Sequence, residues 1–474
     1  MNMQPRDFSG SAATETSAYQ RTSFWLETCE DDLTPRSALK GASMVDVAIL
    51  GGGFSGLWTA YYLLRDNPGI EVAILEKDIC GHGASGRNGG WCSSRFPLDA
   101  GTLATRYGVE IGRKTLLAMY DAVDEVGRVC EQEGFDAEYR RTGILSLARG
   151  KAQLPSIHAA HSAYGRLGFS EQNLLLGADA ARDKVRATQV EGALFSPRSA
   201  TVHPAKLVRG LAKAIERLGG VIYEQSAVTR FEPGATPCLH TDHGVLRARK
   251  AIVAAGEAYL TQQPRFRRDL LPMSSLIVLT EPLSSKQWSD IGWVDGEGLG
   301  SQVNMVDYFT KTSDGRILYG SRGAPYHMNS NLDQPWDAAT AKAMRQTLLE
   351  WFPALDGIAF THSWAGYLGV SRDWTPTIAF DPHTKVGQLF GYTGRGVSTT
   401  NISGRILAGM ITGKPTGLEF LPSVGNSSPR WEPEPLRWLG VRYVQDGFAR
   451  MDAAARNNRP APFDAPLVRR LSKQ

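Results

Sequence analysis

No Cys-x-x-Cys pair occurs among the five cysteines (Cys29, Cys80, Cys92, Cys130 and Cys238). This speaks against a thiolate zinc site and, with their odd number, fits a reducing compartment. No apolar run approaches the roughly 20 residues needed to cross a bilayer, and the first residues hold no apolar signal core; a cytoplasmic location is the expectation. Lysine and arginine form no block interleaved with aromatics, and a formal net charge of +4 over 474 residues is mild, so nucleic acid is not an expected partner. Arg265, Arg267 and Arg268 read as a solvated loop. His158 and His161 stand three apart with no third ligand in sight, so no metal is expected. No repeat of fixed period is visible. What is present, 42% hydrophobic and 21% charged residues, makes a globular chain long enough for two or three domains.

The densest information lies between Val45 and Gly90. Val45 to Leu50 is an apolar run that reads as a buried parallel strand, and it enters Gly51-Gly52-Gly53-Phe54-Ser55-Gly56. Gly51 permits a tight turn, Gly53 lets backbone approach a pyrophosphate, and Gly56 lets the following helix, Leu57 to Arg65, pack close to the strand. That helix aims its amino end at the phosphates. A second strand, Ile70 to Leu75, ends in Glu76, whose carboxylate is placed to accept the hydroxyls of an adenosine ribose. An acid there argues against a 2′-phosphate, and so against NADP. Strand, glycine turn, helix, strand and acid follow in order within one unit of about 30 residues, the pattern of a dinucleotide site.

A second loop, Gly83-Ala84-Ser85-Gly86-Arg87-Asn88-Gly89-Gly90, is too small and polar for a core element. Its amides, with Ser85, Arg87 and Asn88, suit a second approach to the pyrophosphate and a ribityl chain. NAD domains do not need such a loop, so the pair of motifs points to FAD. Further along, Pro204 to Gly219 reads as a helix entered through His203, Val221 to Glu224 as a strand, and Val228 to Arg249 as short strands about a turn. Ala251 to Ala255 reads as another strand, ending at Gly256, and Gly391 to Val397 as a glycine-rich turn before a helix, Thr400 to Ile411. A helix amino end there favours electron density on a flavin ring. Residues 101–189 read as mostly helical and 273–364 as mixed strands with one helix, Trp336 to Glu350. Ser23 to Leu26 gives the amino-terminal extension, otherwise polar and unstructured to about residue 17, a place to dock. In the tail, Trp438, Leu439, Val441 and Val444 are expected to pack on the parent chain.

On these segments, together with HPAKLVRGLA (from His203), AIVAAGEAY (from Ala251), WAGYLGVSRDWTP (from Trp364) and GYTGRGVSTTNISGRILAGMITG (from Gly391), the chain resembles the D-amino-acid-oxidase-type flavoprotein family. The resemblance is closest to its γ-glutamylputrescine oxidoreductase branch and covers roughly residues 20 to 455. It implies an α/β fold: a doubly wound, Rossmann-like FAD-binding domain interleaved with an α+β substrate domain on a large mixed β-sheet. The expected partition is 42–100, 190–262 and 372–416 for the cofactor, 101–189 and 263–371 for the substrate, with extensions at 1–41 and 417–474. It also implies oxidation of an amine or amino acid C–N bond to an imine by hydride transfer to flavin N5, then hydrolysis. The electron acceptor is O₂ or another oxidant; a relative that binds FAD without turnover is the alternative.

The cofactor-facing set expected from motif and resemblance is Gly51, Gly53, Phe54, Ser55 and Gly56; Glu76 and Lys77; Gly83, Ala84, Ser85, Arg87, Asn88, Gly89 and Gly90; Val228, Ala255 and Gly256; and Gly391, Gly394, Arg395, Gly396 and Val397. The expected substrate wall is Tyr308, Arg322, Trp364 and Tyr392. Aromatics there hold an amine by stacking, and Arg322 clamps a carboxylate; packing aromatics and a salt-bridged hairpin arginine are the plain alternatives. Relatives that attach flavin through cysteine do so near YLGVSRDW, which has none, so FAD is expected to be noncovalent.

Overall fold

The computed structural model describes residues 15–332, 336–457 and 459–472. Among them, two eight-stranded sheets dominate. The first runs in the order Thr377–Asp381, Val386–Phe390, Gly244–Ala254, Gly41–Leu50, Val72–Leu75, Val221–Tyr223, with Cys238–His240 antiparallel to Gly244–Ala254 and Arg230–Glu232 antiparallel to Cys238–His240. Gly41–Leu50 lies parallel to both neighbours, which buries its apolar end on both faces and explains the unbroken run Val47-Ala48-Ile49. Helices Phe54–Asp66, Pro204–Arg217 and Gly396–Thr412 contribute to a core with Trp58, Tyr61, Leu211, Ile402 and Ile406. At Gly404 the first and third of these come so close that a Cβ would sit 2.7 Å from the Thr59 nitrogen. A second apolar cluster gathers Phe231, Leu239, Phe266 and Phe390.

The second sheet runs Phe360–Val370, Leu271–Thr280, Ile317–Ser321, Asp307–Lys311, Gly298–Ser301, Ile144–Arg149, Val190–Ser196, Leu174–Gly177. Only the pairing of Gly298–Ser301 with Ile144–Arg149 is parallel. Strand periodicity sorts its residues. Leu145 and Leu147, Leu276 and Val278, and Phe309 enter a core completed by helix Ala338–Trp351, while the alternate residues Ser146, Ser275 and Tyr308 face a cavity.

Several expectations change. Val190–Ser196, assigned from sequence to the cofactor part, is a strand of the second sheet, because its hydrogen-bond partners are Ile144–Arg149 and Leu174–Gly177. Those two strands interrupt the stretch read as helical; short apolar runs carry too few residues for period to separate strand from helix. Glu15–Gln20 is a short helix where unstructured chain was expected, and residues 1–14 of that expectation lie outside the described residues. In the tail helix Leu436–Arg456, Val441 packs as expected but Leu439 is 53% exposed. Arg268 of the arginine cluster is not simply solvated, since its Nε donates to the Trp431 carbonyl at 2.7 Å. Among the described residues no helix is long and apolar enough to cross a membrane, and no group of three or more His, Cys, Asp or Glu could hold a metal.

Candidate active site

A single cavity of about 720 Å³ runs between the two sheets, from the carboxyl ends of the first to the Ser146–Tyr308 face of the second. Its nucleotide end is built by the opening motif. Gly51 has φ +108°, a conformation open to glycine, and a Cβ on it would lie 3.0 Å from the Ala255 carbonyl oxygen. Gly53 is the N-cap of the helix Phe54–Asp66 but has no side chain to accept from its first amides, and the Phe54 amide donates to Ser85 Oγ at 2.9 Å. The two glycine-rich segments are thus joined by one hydrogen bond, and both line the cavity. Glu76, at the end of Val72–Leu75, accepts from the Gly52 amide at 2.7 Å and the Asp78 amide at 3.0 Å. Burial pushes its carboxyl up to about 7, while the two donors favour the ionised form.

The second loop is held from behind. Asn88 spends its amide nitrogen on the Ala84 and Ser85 carbonyls and its oxygen on the Gly90 amide, which closes the loop on itself. Two indoles brace it: Trp25 donates to the Asn88 carbonyl at 2.7 Å and Trp364 to the Arg87 carbonyl at 2.9 Å. Ser23 Oγ donates to the Gly86 carbonyl at 2.8 Å, so the amino-terminal segment docks on the cofactor loop itself. Arg87 shares His82 with Asp78, and its buried Nε has no hydrogen-bond partner. An orphaned guanidinium nitrogen, a glycine-lined cradle and an uncapped helix start, Gly396–Thr412, together suit an anionic dinucleotide with an attached ring.

At the far end Tyr308 lies against Gly89 and Gly320, neither of which has room for a Cβ beside the phenol ring. Its hydroxyl pairs with Ser275 Oγ at 3.0 Å, and burial pushes it up to about 12. Arg322 reaches the Thr393 carbonyl at 3.4 Å and lies 5.8 Å over the Trp374 ring; desolvation brings it down to about 10.

Most of the expected residues line this cavity, but Gly56, Gly90, Gly391 and Trp364 stand behind it. Gly56 takes the helix against the Gly51 carbonyl, and Gly90 has the Val202 carbonyl where a Cβ would be, at 2.6 Å. Trp364 is 5% exposed in a cluster with Trp25 and Leu26, so it supports the loop from behind and does not line the cavity. Tyr392 lines the cavity, and its hydroxyl accepts from Ser55 Oγ at 3.2 Å, so it also braces the first turn. None of the five cysteines reaches the cavity.

Sequence reasoning missed Glu257. Its carboxylate accepts from the Gly369 amide at 3.2 Å, the Gly391 amide at 2.9 Å and the Tyr392 amide at 3.3 Å, tying the end of Phe360–Val370 to the turn before Gly396–Thr412. No local pattern marks it, because all three donors are more than 100 residues away. Burial pushes its carboxyl up to about 7. A folded value above the unfolded one means stability that is fully present below about 4.5 and lost as pH rises through about 7. Relative to Glu257→Gln, wild-type protein is expected to lose about 1.4 kcal/mol per pH unit across that window, checked by denaturant titration at several pH values. A difference that is flat with pH would show that Glu257 keeps an ordinary carboxyl.

The tail also reaches the site. Asp452, on helix Leu436–Arg456, accepts from the Asn304 amide at 2.9 Å, the Asn304 side chain at 2.6 Å and the Met305 amide at 2.9 Å. It pins the tip of a loop whose base is held by Asp307 on Ser301, and Gln302 to Asn304 line the cavity. Asp452→Ala should speed hydrogen exchange at the Asn304 and Met305 amides by at least about tenfold while flavin stays bound, since hydrogen bonds to a charged acceptor are worth about 1.5–3 kcal/mol each. Unchanged exchange would mean the loop is held by other contacts.

Fold and cavity define a flavin-type oxidoreductase: a glycine-rich dinucleotide cradle opening on a ring-sized space walled by a second sheet. The chain belongs to the DAO family of FAD-dependent oxidoreductases, whose model matches residues 46–410. It is 28% identical over 397 residues to γ-glutamylputrescine oxidoreductase of Escherichia coli K12, covering 83% of this chain and 90% of that one. It is 26% identical over 380 residues to sarcosine oxidase subunit beta of Rhizobium meliloti, covering 77% and 84%. Among solved structures, glycine oxidase from Geobacillus kaustophilus superposes with a TM-score of 0.67 at 20% identity, over 81% of this chain and 99% of that one. The protein is therefore an enzyme of the FAD-dependent amine and amino-acid oxidoreductase group, and FAD is its cofactor.

Proposed function

We propose that this enzyme oxidises the C–N bond of an amine that carries a carboxylate, an amino acid or its N-substituted form, to an imine, which water then hydrolyses. The observation that carries this reading is Arg322. It is a guanidinium facing the cavity with no carboxylate partner among the described residues, at the end opposite the nucleotide cradle. FAD, when bound, supplies the two-electron acceptor for the hydride that leaves the carbon beside nitrogen. The chain's own residues do the rest. Gly51, Gly53, Ser85 and Arg87 would hold the pyrophosphate, Glu76 the ribose, and the amino end of Gly396–Thr412 the electron-rich edge of the ring. Arg322 fixes the substrate carboxylate by a paired hydrogen bond, and Tyr308 and Trp374 wall off water. The cationic field of Arg322 and its neighbours favours the neutral over the protonated amine, which is the form able to give up hydride.

With no cysteine at the cavity and His82 held between Asp78 and Arg87, we infer that FAD is bound without a covalent link. Precipitation with acid should release yellow FAD into the supernatant; colour retained in the pellet would refute this. The activity is tested by anaerobic titration of the yellow protein with amino acids, N-methyl amino acids and polyamines, following bleaching of the flavin band. The reading requires that at least one carboxylate-bearing amine bleach it. If none does, the chain binds FAD without this turnover. Recovery of colour on admitting air would assign O₂ as oxidant; its failure would assign another acceptor.

A further inference from the structure

Arg322 is not alone. Arg95 and Arg395 also face the cavity; Arg395 reaches the carbonyl of Phe96, next to Arg95, and Arg322 the carbonyl of Thr393, two residues before Arg395, so the three form one cationic group. Each has only neutral hydrogen-bond partners. Arg95 donates to Ser146 Oγ at 2.8 Å and keeps a buried Nε without a partner, Arg395 donates to the Phe96 carbonyl, and Arg322 to the Thr393 carbonyl.

The carboxylates along the same cavity are engaged elsewhere. Glu76 holds the first turn, Asp78 pairs with His82, Asp99 caps the helix Ala100–Tyr107, Glu257 holds three amides, and Asp307 accepts from Ser301. The nucleotide end has its own cation in Arg87 and its own helix amino end, and Arg395, expected from the sequence to face the cofactor, turns its guanidinium to the Phe96 carbonyl beside Arg95, so the phosphates do not call on this trio. It belongs to the substrate sheet's side of the cavity, through Ser146 on one strand and Arg322 after another. Guanidinium charge held in a part-buried cavity with no carboxylate in hydrogen-bond reach is costly; Asp99, the acid whose charge acts on Arg395, is spent on its helix, and one substrate carboxylate would answer only one of the three. A neighbouring open hollow, which shares Asp99 and Thr102 with the cavity, adds Arg106, Arg469 and Arg470, a positive approach that draws anions in.

We propose that the substrate carries two carboxylates: an amine flanked by one acid group at Arg322 and a second held by Arg95 and Arg395. This rests on the amine-oxidation reading and narrows it to dicarboxylic amino acids and N-carboxyalkyl amines. Acid-free polyamines are the wrong charge for this wall.

The test uses the FAD-loaded protein and matched pairs in which a second acid is present or masked: iminodiacetate against N-methylglycine, aspartate against asparagine, glutamate against glutamine, the last two as both enantiomers, with putrescine as the acid-free amine. Stopped-flow reduction under nitrogen should show at least one diacid reducing the flavin with a rate-to-Kd ratio at least about tenfold above its partner's, and Arg95→Met should collapse that ratio. A monoacid or putrescine matching or exceeding every diacid overturns the proposal. Calorimetric binding of succinate against butyrate to wild-type protein is the second arm and depends neither on turnover nor on the folding of a variant. Succinate should bind at least about tenfold tighter, with affinity falling as salt is raised; equal affinities overturn the proposal. If no amine bleaches the flavin while succinate still wins, the oxidation reading falls and the double-acid site stands.

Discussion

Gly56→Ala is expected to yield protein with less than about a tenth of its FAD and a sharply lowered Tm. A Cβ at this position would overlap the Gly51 carbonyl oxygen and sit 3.1 Å from Ile49 Cγ2. Neither neighbour can give way. Gly51 is the turn that holds its own amide on the Leu75 carbonyl at 2.9 Å, and Ile49 lies in the buried second half of the strand Gly41–Leu50. Overpacking a core costs about 1–3 kcal/mol when side chains can move, and here backbone must move, so the cost lies at or above the top of that range. The displacement would be delivered to the Phe54 amide, whose bond to Ser85 Oγ joins the two glycine-rich segments that line the cavity. The absorbance ratio of protein to flavin after gel filtration, with a thermal melt, reads both effects. Full flavin content would show that the helix does not need its close approach.

Arg322→Met is expected to weaken binding of the carboxylate substrate by about 10²–10³-fold, with a smaller change in the limiting rate of flavin reduction. Removing one partner of a buried, hydrogen-bonded charge pair costs about 2–5 kcal/mol, and methionine fills the volume of the aliphatic stem without its fork. Arg322→Lys should recover little, because a point charge does not reproduce the paired geometry. The loss should vanish for the amide analogue of the same substrate, which has no charge to leave unpaired. Equal losses for acid and amide would assign Arg322 to packing against Trp374, 5.8 Å away, and remove it from substrate recognition. The measurement is a stopped-flow Kd from the concentration dependence of flavin reduction.

The parts of the site that were legible in the sequence share one property: their partners are close in the chain. The turn Gly51 to Gly56, its strand and Glu76 interact within 25 residues, as the Gly52 amide on Glu76 shows. His203 likewise announced itself before Pro204, and it caps that helix through Nδ1 to the Lys206 amide at 3.2 Å. The tryptophans illustrate the opposite. Trp364 was expected at the substrate because its segment matched the family, but its indole points back to Arg87, 277 residues earlier. Trp25 was expected to dock without any sign of where; its partner is the cofactor loop 63 residues on. Asp452 carried no signal at all, since a carboxylate in an amphipathic helix looks the same whether it meets water or a loop amide.

What the sequence by itself determined is the nucleotide: spacing of glycines, strand and acid is local stereochemistry, so the first turn of the cradle, and with it the class of cofactor, is written in one contiguous stretch. What only the tertiary structure decided is which charged side chains share the other end of the cavity. Arg322 was expected at the substrate and Arg395 at the cofactor, while Arg95 carried no signal, and no one of their three segments shows that all line one cavity. The physical reason is that charge matters through distance and dielectric, and both are set by how the two sheets face one another.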